Sequence, residues 1–290
     1  MDPQAVADLV RDARARLGLA GIDGPDAELL AAWAAGSSLG EVRVDMAMGR
    51  SFEADAVARF LTAVARREGR EPLQHITGSA PFRHVELRVG PGVFTPRPET
   101  EVLVDVALEH LRRHRPELDT GLVLDVGTGS GAVAITIARE AEVPVVAVEW
   151  SPAAYVWARR NIAELAPATV LLHADARDAA ALAAVGVVPG SLAALVSNPP
   201  YVPHASVPAD HEVRSFDPAT ALYSGADGLD FIRDLASIAA DLVQPGGLVA
   251  FEHAEQQAGD VWELVADAGF RDAFTRRDHT GRDRVTGAIR

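Results

Sequence analysis

The chain of 290 residues is 48% hydrophobic and 23% charged, the balance of an ordinary soluble globular protein, which excludes a mostly disordered tail or a fibrous repeat. Its 41 acids outnumber its 27 bases, all of them arginine, and a formal charge of −14 argues against holding a nucleic acid backbone by bulk attraction. There is no cysteine, hence no disulfide framework, zinc–thiolate site, thiol nucleophile or iron–sulfur cluster. No apolar run approaches the roughly 18 residues that a membrane span needs, and Met1 to Arg16 alternates acids and arginines without a signal-peptide core. The expectation is a cytoplasmic monomer with no membrane partner and no metal.

Residues 1–70 read as a small helical domain. Val6, Leu9 and Val10, then Leu29, Leu30 and Trp33, then Phe52, Val57, Phe60, Leu61 and Val64 recur at helical spacing. Gly21, Gly24-Pro25, Gly36 to Ser38 and Gly49 to Ser51 punctuate them as turns. Arg59, Arg66, Arg67 and Arg70 read as a solvated helix face rather than a basic docking patch. Residues 71–96 form a linker in which Phe82 to Val89 alternates like a strand, and Val93-Phe94 is predicted to pair back across Gly90-Pro91-Gly92.

From residue 97 to 290 helices alternate with strands. A helix from about Glu99 to His114 precedes a fully apolar strand, Leu122–Val126. Further strands are read at Val145–Val148, Thr169–Leu172, Ala194–Ser197 and Leu248–Glu252, with helices near 132–140, 152–165, 177–184, 229–243 and 256–268. This alternation predicts a parallel sheet covered on both faces. Phe270–Thr275 and Arg284–Ile289 are joined by too short a link for a parallel crossover, so an antiparallel pair closes the chain. Ligands of such sheets bind beyond the carboxyl ends of the strands, near the switch in strand order.

The first strand ends in Asp125-Val-Gly127-Thr128-Gly129-Ser130-Gly131 and runs into a helix. The glycines permit a tight turn and close approach of a ligand to free N–H groups at the helix start. The string reads as GxGxG, or as the dinucleotide form GxGxxA ending at Ala132. Glu149 ends the next strand and is placed to accept from both hydroxyls of a ribose. Asp175, just after the third strand, is placed to accept from an adenine amino group. Each acid alone would be a solvated loop residue; together with the glycine loop they favour an adenosine ligand without identifying it.

Ser197-Asn198-Pro199-Pro200-Tyr201 closes the fourth strand on the same rim. As a bare structural feature it is a polyproline turn that ends the ladder. Chemically it is more. Prolines hold Asn198 Oδ1 and the Pro199 carbonyl as a rigid pair of acceptors for a planar NH2 group, and Tyr201 offers a flat face for stacking. The nitrogen of an amide or exocyclic amine is a poor nucleophile because its lone pair is delocalised into the adjoining π-system. Acceptors on both N–H groups let it pyramidalise and bind the developing positive charge better than the ground state. A glycine loop for S-adenosylmethionine plus this tetrapeptide spells an amino-nitrogen methyltransferase.

The chain resembles the protein-(glutamine-N5) methyltransferases that modify peptide chain release factors. The likeness covers nearly all of it: Pro72-Leu-Gln-His-Ile-Thr-Gly78, Phe94-Thr-Pro-Arg-Pro-Glu-Thr-Glu101, the glycine loop, Ser197 to Tyr201, Asp217 to Leu222, Gly225 to Leu229, Glu252 to Gln257 and Asp283 to Thr286. The resemblance implies an α/β fold: a helical N-terminal domain for docking the release factor, a β-hairpin linker and a seven-stranded, Rossmann-like S-adenosylmethionine-dependent domain. It implies the glutamine of the Gly-Gly-Gln motif as substrate. By position, Asp125, Gly127, Thr128, Gly129, Ser130, Gly131, Glu149, Asp175, Ala176 and Asn198 would hold the cofactor. Asn198, Pro199 and Tyr201 would be catalytic, and Phe94 with Asn198 to Tyr201 would hold the glutamine, with Thr95 and Arg97 near the cofactor mouth. Asp217, Ala254 and the small Ala176 depart from the family pattern in local detail.

The rival within the same chemistry is a nucleic acid adenine-N6 methyltransferase, which must extrude its base and hold phosphates; the acidic balance and the lack of a base-recognition insert oppose it. A nicotinamide oxidoreductase leaves the tetrapeptide without a purpose, and an adaptor fits the helical part alone. His110 and His114 lack a third metal ligand and read as a solvated helix face. Ser197, His253 and Asp125 lack a nucleophile elbow, and Glu99 and Glu101 read as helix-opening acids.

Overall fold

The computed structural model describes residues 5–114, 118 and 121–290, so the first four residues of the Met1–Arg16 stretch lie outside the described ones. Two compact units are present. One ends at Ser79 and also takes in Ala209–Phe216; the other consists of Ala80–Pro208 and Asp217–Arg290.

The first unit contains α1 (Val6–Leu19), α2 (Asp26–Ala35), α3 (Leu39–Ala47), α4 (Ala54–Glu68) and α5 (Leu73–Thr77). Their apolar stripes meet in a core that includes Leu9, Val10, Leu30, Phe60, Val64 and Ile76, all buried. Gly36 ends α2 in the left-handed region at φ 65°, and Ser38 and Glu41 close a capping box at the start of α3.

The second unit opens with a two-stranded hairpin, β1 (Ser79–Phe82) and β2 (Val85–Arg88). In chain order there follow α6 (Glu101–His114), β3 (Val123–Val126), α7 (Ala132–Ala141), β4 (Val145–Glu149), α8 (Pro152–Leu165), β5 (Val170–His173), α9 (Ala179–Ala184) and β6 (Leu192–Ser197). Then come α10 (His211–Phe216), which belongs to the first unit, and α11 (Ala219–Leu222), α12 (Asp230–Leu242), β7 (Val243–Glu252), α13 (Ala258–Asp267), β8 (Arg271–Arg277) and β9 (Asp283–Ile289). The seven-stranded sheet runs β5-β4-β3-β6-β7-β9-β8, parallel except for β9, which is antiparallel to both neighbours. Side-chain alternation divides each strand between two cores. Val123, Val145 and Ala250 pack with α6, α7 and α8, whereas Leu124, Val146 and Val249 pack with α9, α12 and α13. Strand order reverses between β3 and β6, which places the crevice beyond their carboxyl ends.

The structure departs from the sequence expectations at three places. The hairpin turns at Arg83-His84, not at Gly90-Pro91-Gly92, and Val93-Phe94 forms no strand. Arg83 sits at φ 49°, normally the province of Asn or Gly, and is held there by side-chain bonds to Asp105 and Glu140 and by its own N–H to Glu101. Gly90 is instead a packing glycine: a Cβ there would lie 2.6 Å from the Trp157 ring. Second, the predicted partition at 70 and 96 missed that α10 goes with the helices. Third, two of the four arginines read as a solvated face are not solvated, whereas Arg59 and Arg66 are exposed as expected. Arg67 is 9% exposed and donates to Asp26 and, at 2.8 Å, to Glu212 of α10; Arg70 reaches the other Glu212 oxygen at 2.6 Å. Burial opposes the Glu212 charge, but these arginines hold its carboxyl well below the usual carboxylate range.

Candidate active site

Ser197 binds the two motif-bearing strands together. It pairs with Val126 in register, and its Oγ donates to the Val126 carbonyl at 2.7 Å, so the glycine loop and the tetrapeptide leave the sheet side by side.

Gly127, Gly129 and Gly131 all lie at positive φ. At Gly127 an added Cβ would meet nothing within 4 Å, and at Gly129 nothing closer than 3.9 Å, so backbone conformation demands glycine while the space over the loop stays open. Asp125 is fully buried and organises the loop from below: Oδ2 accepts from Thr128 Oγ1 at 2.6 Å and from Ala134 N at 3.1 Å. Burial pushes its carboxyl up to about 7. Thr128 and Ser130 are buried as well, and the Thr128 hydroxyl is turned down onto Asp125.

Glu149 ends β4 with both oxygens aimed by backbone donors, Oε2 by Gly129 N and Oε1 by Ser151 N, each at 2.8 Å. A carboxylate has about four acceptor sites, so capacity remains beyond these backbone donors for a ribose hydroxyl. Burial raises its carboxyl above the usual value. Asp175 is half-buried and occupied: Arg177 grips both oxygens, at 2.9 and 2.6 Å, and lowers its pKa. Ala176 beside it is buried.

Asn198 is half-buried, and its Nδ2 donates to Thr100 Oγ1 at 3.1 Å, which turns Oδ1 the other way. Pro199 is buried and Pro200 half-buried. Tyr201 points its phenol at Glu252 Oε1, 3.4 Å away, and burial with that carboxylate keeps the phenol protonated. Its carbonyl accepts from Gln257 Nε2 at 3.0 Å, and Gly228 packs so closely that a Cβ there would come within 2.2 Å of the same oxygen. Val202 is tied on to Leu222 and Ser224 by backbone bonds. The loop after the tetrapeptide is thereby pinned at its start by α11 and by the turn before α12. Phe94 lies under the Arg97 guanidinium, 5.5 Å from its ring centre, and Arg97 is held by buried Asp217 at 3.1 Å.

Sequence reading missed Thr100, Glu252 as a neighbour of Tyr201, and Asn161. Asn161 lies on α8 with its side chain bonded to both backbone groups of Arg88 and to the Ser130 carbonyl, joining the hairpin to the glycine loop. A buried amide within an amphipathic helix is the only signal that pointed there. Two further readings are settled. His110 is buried, not solvated, and burial together with His114 lowers it to about 4. Ser197, His253 and Asp125 bond to Val126, Thr286 and Thr128 and form no triad. Among the described residues no group of three or more His, Asp or Glu is placed to hold a metal, and no helix is long and apolar enough to cross a membrane.

Residues 8–78 match the family described as PrmC N-terminal domain, and residues 84–221 match that described as Methyltransferase small domain. Release factor glutamine methyltransferase from Streptomyces coelicolor is 43% identical over 286 residues, covering 96% of each chain. The proteins of that name from Bifidobacterium longum and Corynebacterium glutamicum are 39% and 40% identical, each covering 98% of this chain and 99% and 98% of their own.

Proposed function

The chain belongs to the release factor glutamine methyltransferases, and on that premise we propose that it transfers the methyl group of S-adenosylmethionine to the side-chain amide nitrogen (N5) of the glutamine in the Gly-Gly-Gln motif of peptide chain release factors. The observation that carries the reading is the register of β3 with β6, which sets the open glycine loop beside Asn198 to Tyr201.

The residues fit the cofactor. Space over Gly127 and Gly129 is open, and the Glu149 carboxylate is aimed by two backbone donors. Glu149 would take the ribose hydroxyls, Gly127 to Gly131 would offer backbone to the rest of the molecule, and Asp175 and Ala176 would border the adenine. Because Asp125, Thr128 and Ser130 are buried, their part is to shape the loop. When bound, S-adenosylmethionine supplies an electrophilic methyl on a positively charged sulfur. Asn198 Oδ1 and the Pro199 carbonyl accept the two N–H groups of the substrate amide, and Tyr201 supports its plane. These acceptors let the nitrogen pyramidalise, stabilise its developing charge, and leave one proton to depart for water as the methyl arrives. No strong base is needed. Phe94, braced by Arg97 and Asp217, borders the glutamine pocket.

The helical unit docks the body of the release factor in this reading. An open cleft of about 280 Å³ on α2 and α4, lined by Trp33, Ala58, Arg59, Thr62, Ala63 and Arg66, is where the partner is placed in this reading. Trp33→Ala is expected to raise KM several-fold for the whole factor and not for a Gly-Gly-Gln peptide. Action on a translation factor places the enzyme in the cytoplasm, and the reading takes it as a monomer.

Transfer of labelled methyl to a purified release factor, beside its Gly-Gly-Gln→Gly-Gly-Ala variant and DNA, tests the whole. Label on the wild-type factor alone is the expected result. Label on DNA would overturn the substrate while keeping the Asn198 chemistry.

A further inference from the structure

We propose that Gln257 is a positioning residue for methyl transfer: its carboxamide clamps the far end of the Asn198 to Tyr201 tetrapeptide, and so fixes how the Pro199 carbonyl and the Tyr201 ring meet the substrate amide. This rests on the amide-methylating reading above and extends it to the stretch Glu252 to Gln257, whose last residue that reading leaves without a role.

The tetrapeptide has few donors with which to secure itself. Pro199 and Pro200 have no N–H, and a proline ring fixes φ but not ψ. The segment is held at its ends instead. Ser197 secures the entry through its bond to the Val126 carbonyl at 2.7 Å. At the exit, the Tyr201 carbonyl accepts from Gln257 Nε2 at 3.0 Å.

Gln257 closes a one-turn helix, Glu255–Gln257, that follows β7, and it is buried whereas Gln256 beside it is exposed. Its Oε1 accepts from Ala254 N at 2.9 Å, and Nε2 gives one proton to the Tyr201 carbonyl and the other to the Asp227 carbonyl, each at 3.0 Å. Both N–H donors of the carboxamide are therefore in use. Rotated by half a turn, its NH2 would face the Ala254 N–H and its oxygen would face two carbonyls. All three bonds would be lost, so one orientation alone fits the site. Three segments converge on this side chain: the exit of β6, the turn before α12 and the residue that follows His253 after β7. Since β6 and β7 pair in register up to Ser197 and Phe251, the clamp ties Tyr201 to the sheet itself. Gly228 shows how close the convergence is, because a Cβ there would lie 2.2 Å from Tyr201 O and 2.6 Å from Gln257 Nε2. Val202, the next residue, has its own backbone bonds to Leu222 and Ser224. Loss of the clamp thus frees the Tyr201 peptide without releasing the loop behind it. A displacement of about 1 Å at a reacting group can cost on the order of 10²-fold in rate.

Gln257→Met keeps the length of the side chain and removes its three bonds. It is expected to lower kcat for a Gly-Gly-Gln peptide by about 10–100-fold, with S-adenosylmethionine affinity, read by calorimetry, unchanged. Gln256→Met should leave both at wild-type values. A purely structural role would lower the melting temperature and leave kcat unaltered below it, and that result overturns the proposal. The clamp is also read without turnover. The sequence has three tyrosines, so ¹³C-carbonyl tyrosine labelling of the full chain gives three backbone signals, and that of Tyr201 is the one absent from Tyr201→Phe. Loss of the Gln257 donor is expected to shift this signal and to leave those of Tyr155 and Tyr223 in place; an unmoved Tyr201 signal overturns the proposal. If Gln257→Met does not fold, Gln257→Asn decides by the same readings, since it keeps a carboxamide one carbon too short to reach Tyr201. Should the wild type methylate DNA and not the release factor, the substrate reading fails. The same kcat loss on DNA then keeps Gln257 in its role, and wild-type kcat on DNA in the variant overturns it.

Discussion

Asn198 is the residue on which the chemistry converges, because one carboxamide must give Nδ2 to Thr100 and Oδ1 to the substrate. Asn198→Ala removes a preorganised acceptor and is expected to lower kcat by about 10²–10³, read by methyl transfer, with cofactor affinity measured separately by calorimetry. Wild-type turnover would remove Asn198 from the mechanism. Gly228 is tied to the same peptide from the opposite side. At φ 86°, with Tyr201 O 2.2 Å and Gln257 Nε2 2.6 Å from a built Cβ, Gly228→Ala must push the Tyr201 backbone aside. The expected cost is about 3 kcal/mol of stability and a larger fall in kcat than in cofactor affinity, read by thermal unfolding and single-turnover assays. The sequence pattern located Gly228 in a family motif; its close approach to Tyr201 is visible only in space.

Among the elements, α10 and α4 carry the least foreseeable result. A short helix from the loop after the tetrapeptide belongs with the N-terminal helices because Arg67 and Arg70 enclose Glu212. Deleting residues 1–70 would therefore strip Glu212 of both arginines, and loss of activity in that truncation would not by itself demonstrate docking. A core substitution is cleaner. Phe60 is fully buried in the helical core, and Phe60→Ala is expected to cost about 3–5 kcal/mol there. Differential scanning calorimetry should show that unit melting earlier, while S-adenosylmethionine binding to the sheet unit is preserved. The hairpin teaches a related lesson. Gly90-Pro91-Gly92 has the composition of a turn, yet the chain turns at Arg83, whose acidic partners lie 22 and 57 residues away.

At the scale of the whole molecule, the two units differ in that buried carboxyls held above their ordinary values are, among the described residues, found only in the sheet unit. Asp125 and Glu252 titrate at about 7 in the fold against ordinary values of 3.8 and 4.5, so the stability they contribute is full below those ordinary values and is lost as pH rises through 7. Glu212 in the helical unit is shifted down, so its contribution is present above the ordinary value of 4.5 and is lost only in acid. Without cofactor, the melting temperature of the sheet unit is expected to fall between about pH 4 and 7, a range over which that of the helical unit stays level and below which it falls. Residue-resolved hydrogen exchange would separate the two, and Asp125→Asn should flatten the first trend. The sequence by itself determined most of the succession of helices and strands, the two motifs at strand ends and the chemistry of an amino-nitrogen methyltransferase. Periodicity is local, and a motif whose strand ends at the sheet rim needs no knowledge of its neighbours. Only the tertiary structure decided which acids meet which donors: Thr100 with Asn198, Tyr201 with Glu252, and Arg67 with a glutamate 145 residues away. Those pairings arise from burial and sheet register, which bring distant residues together and then set their charge and orientation.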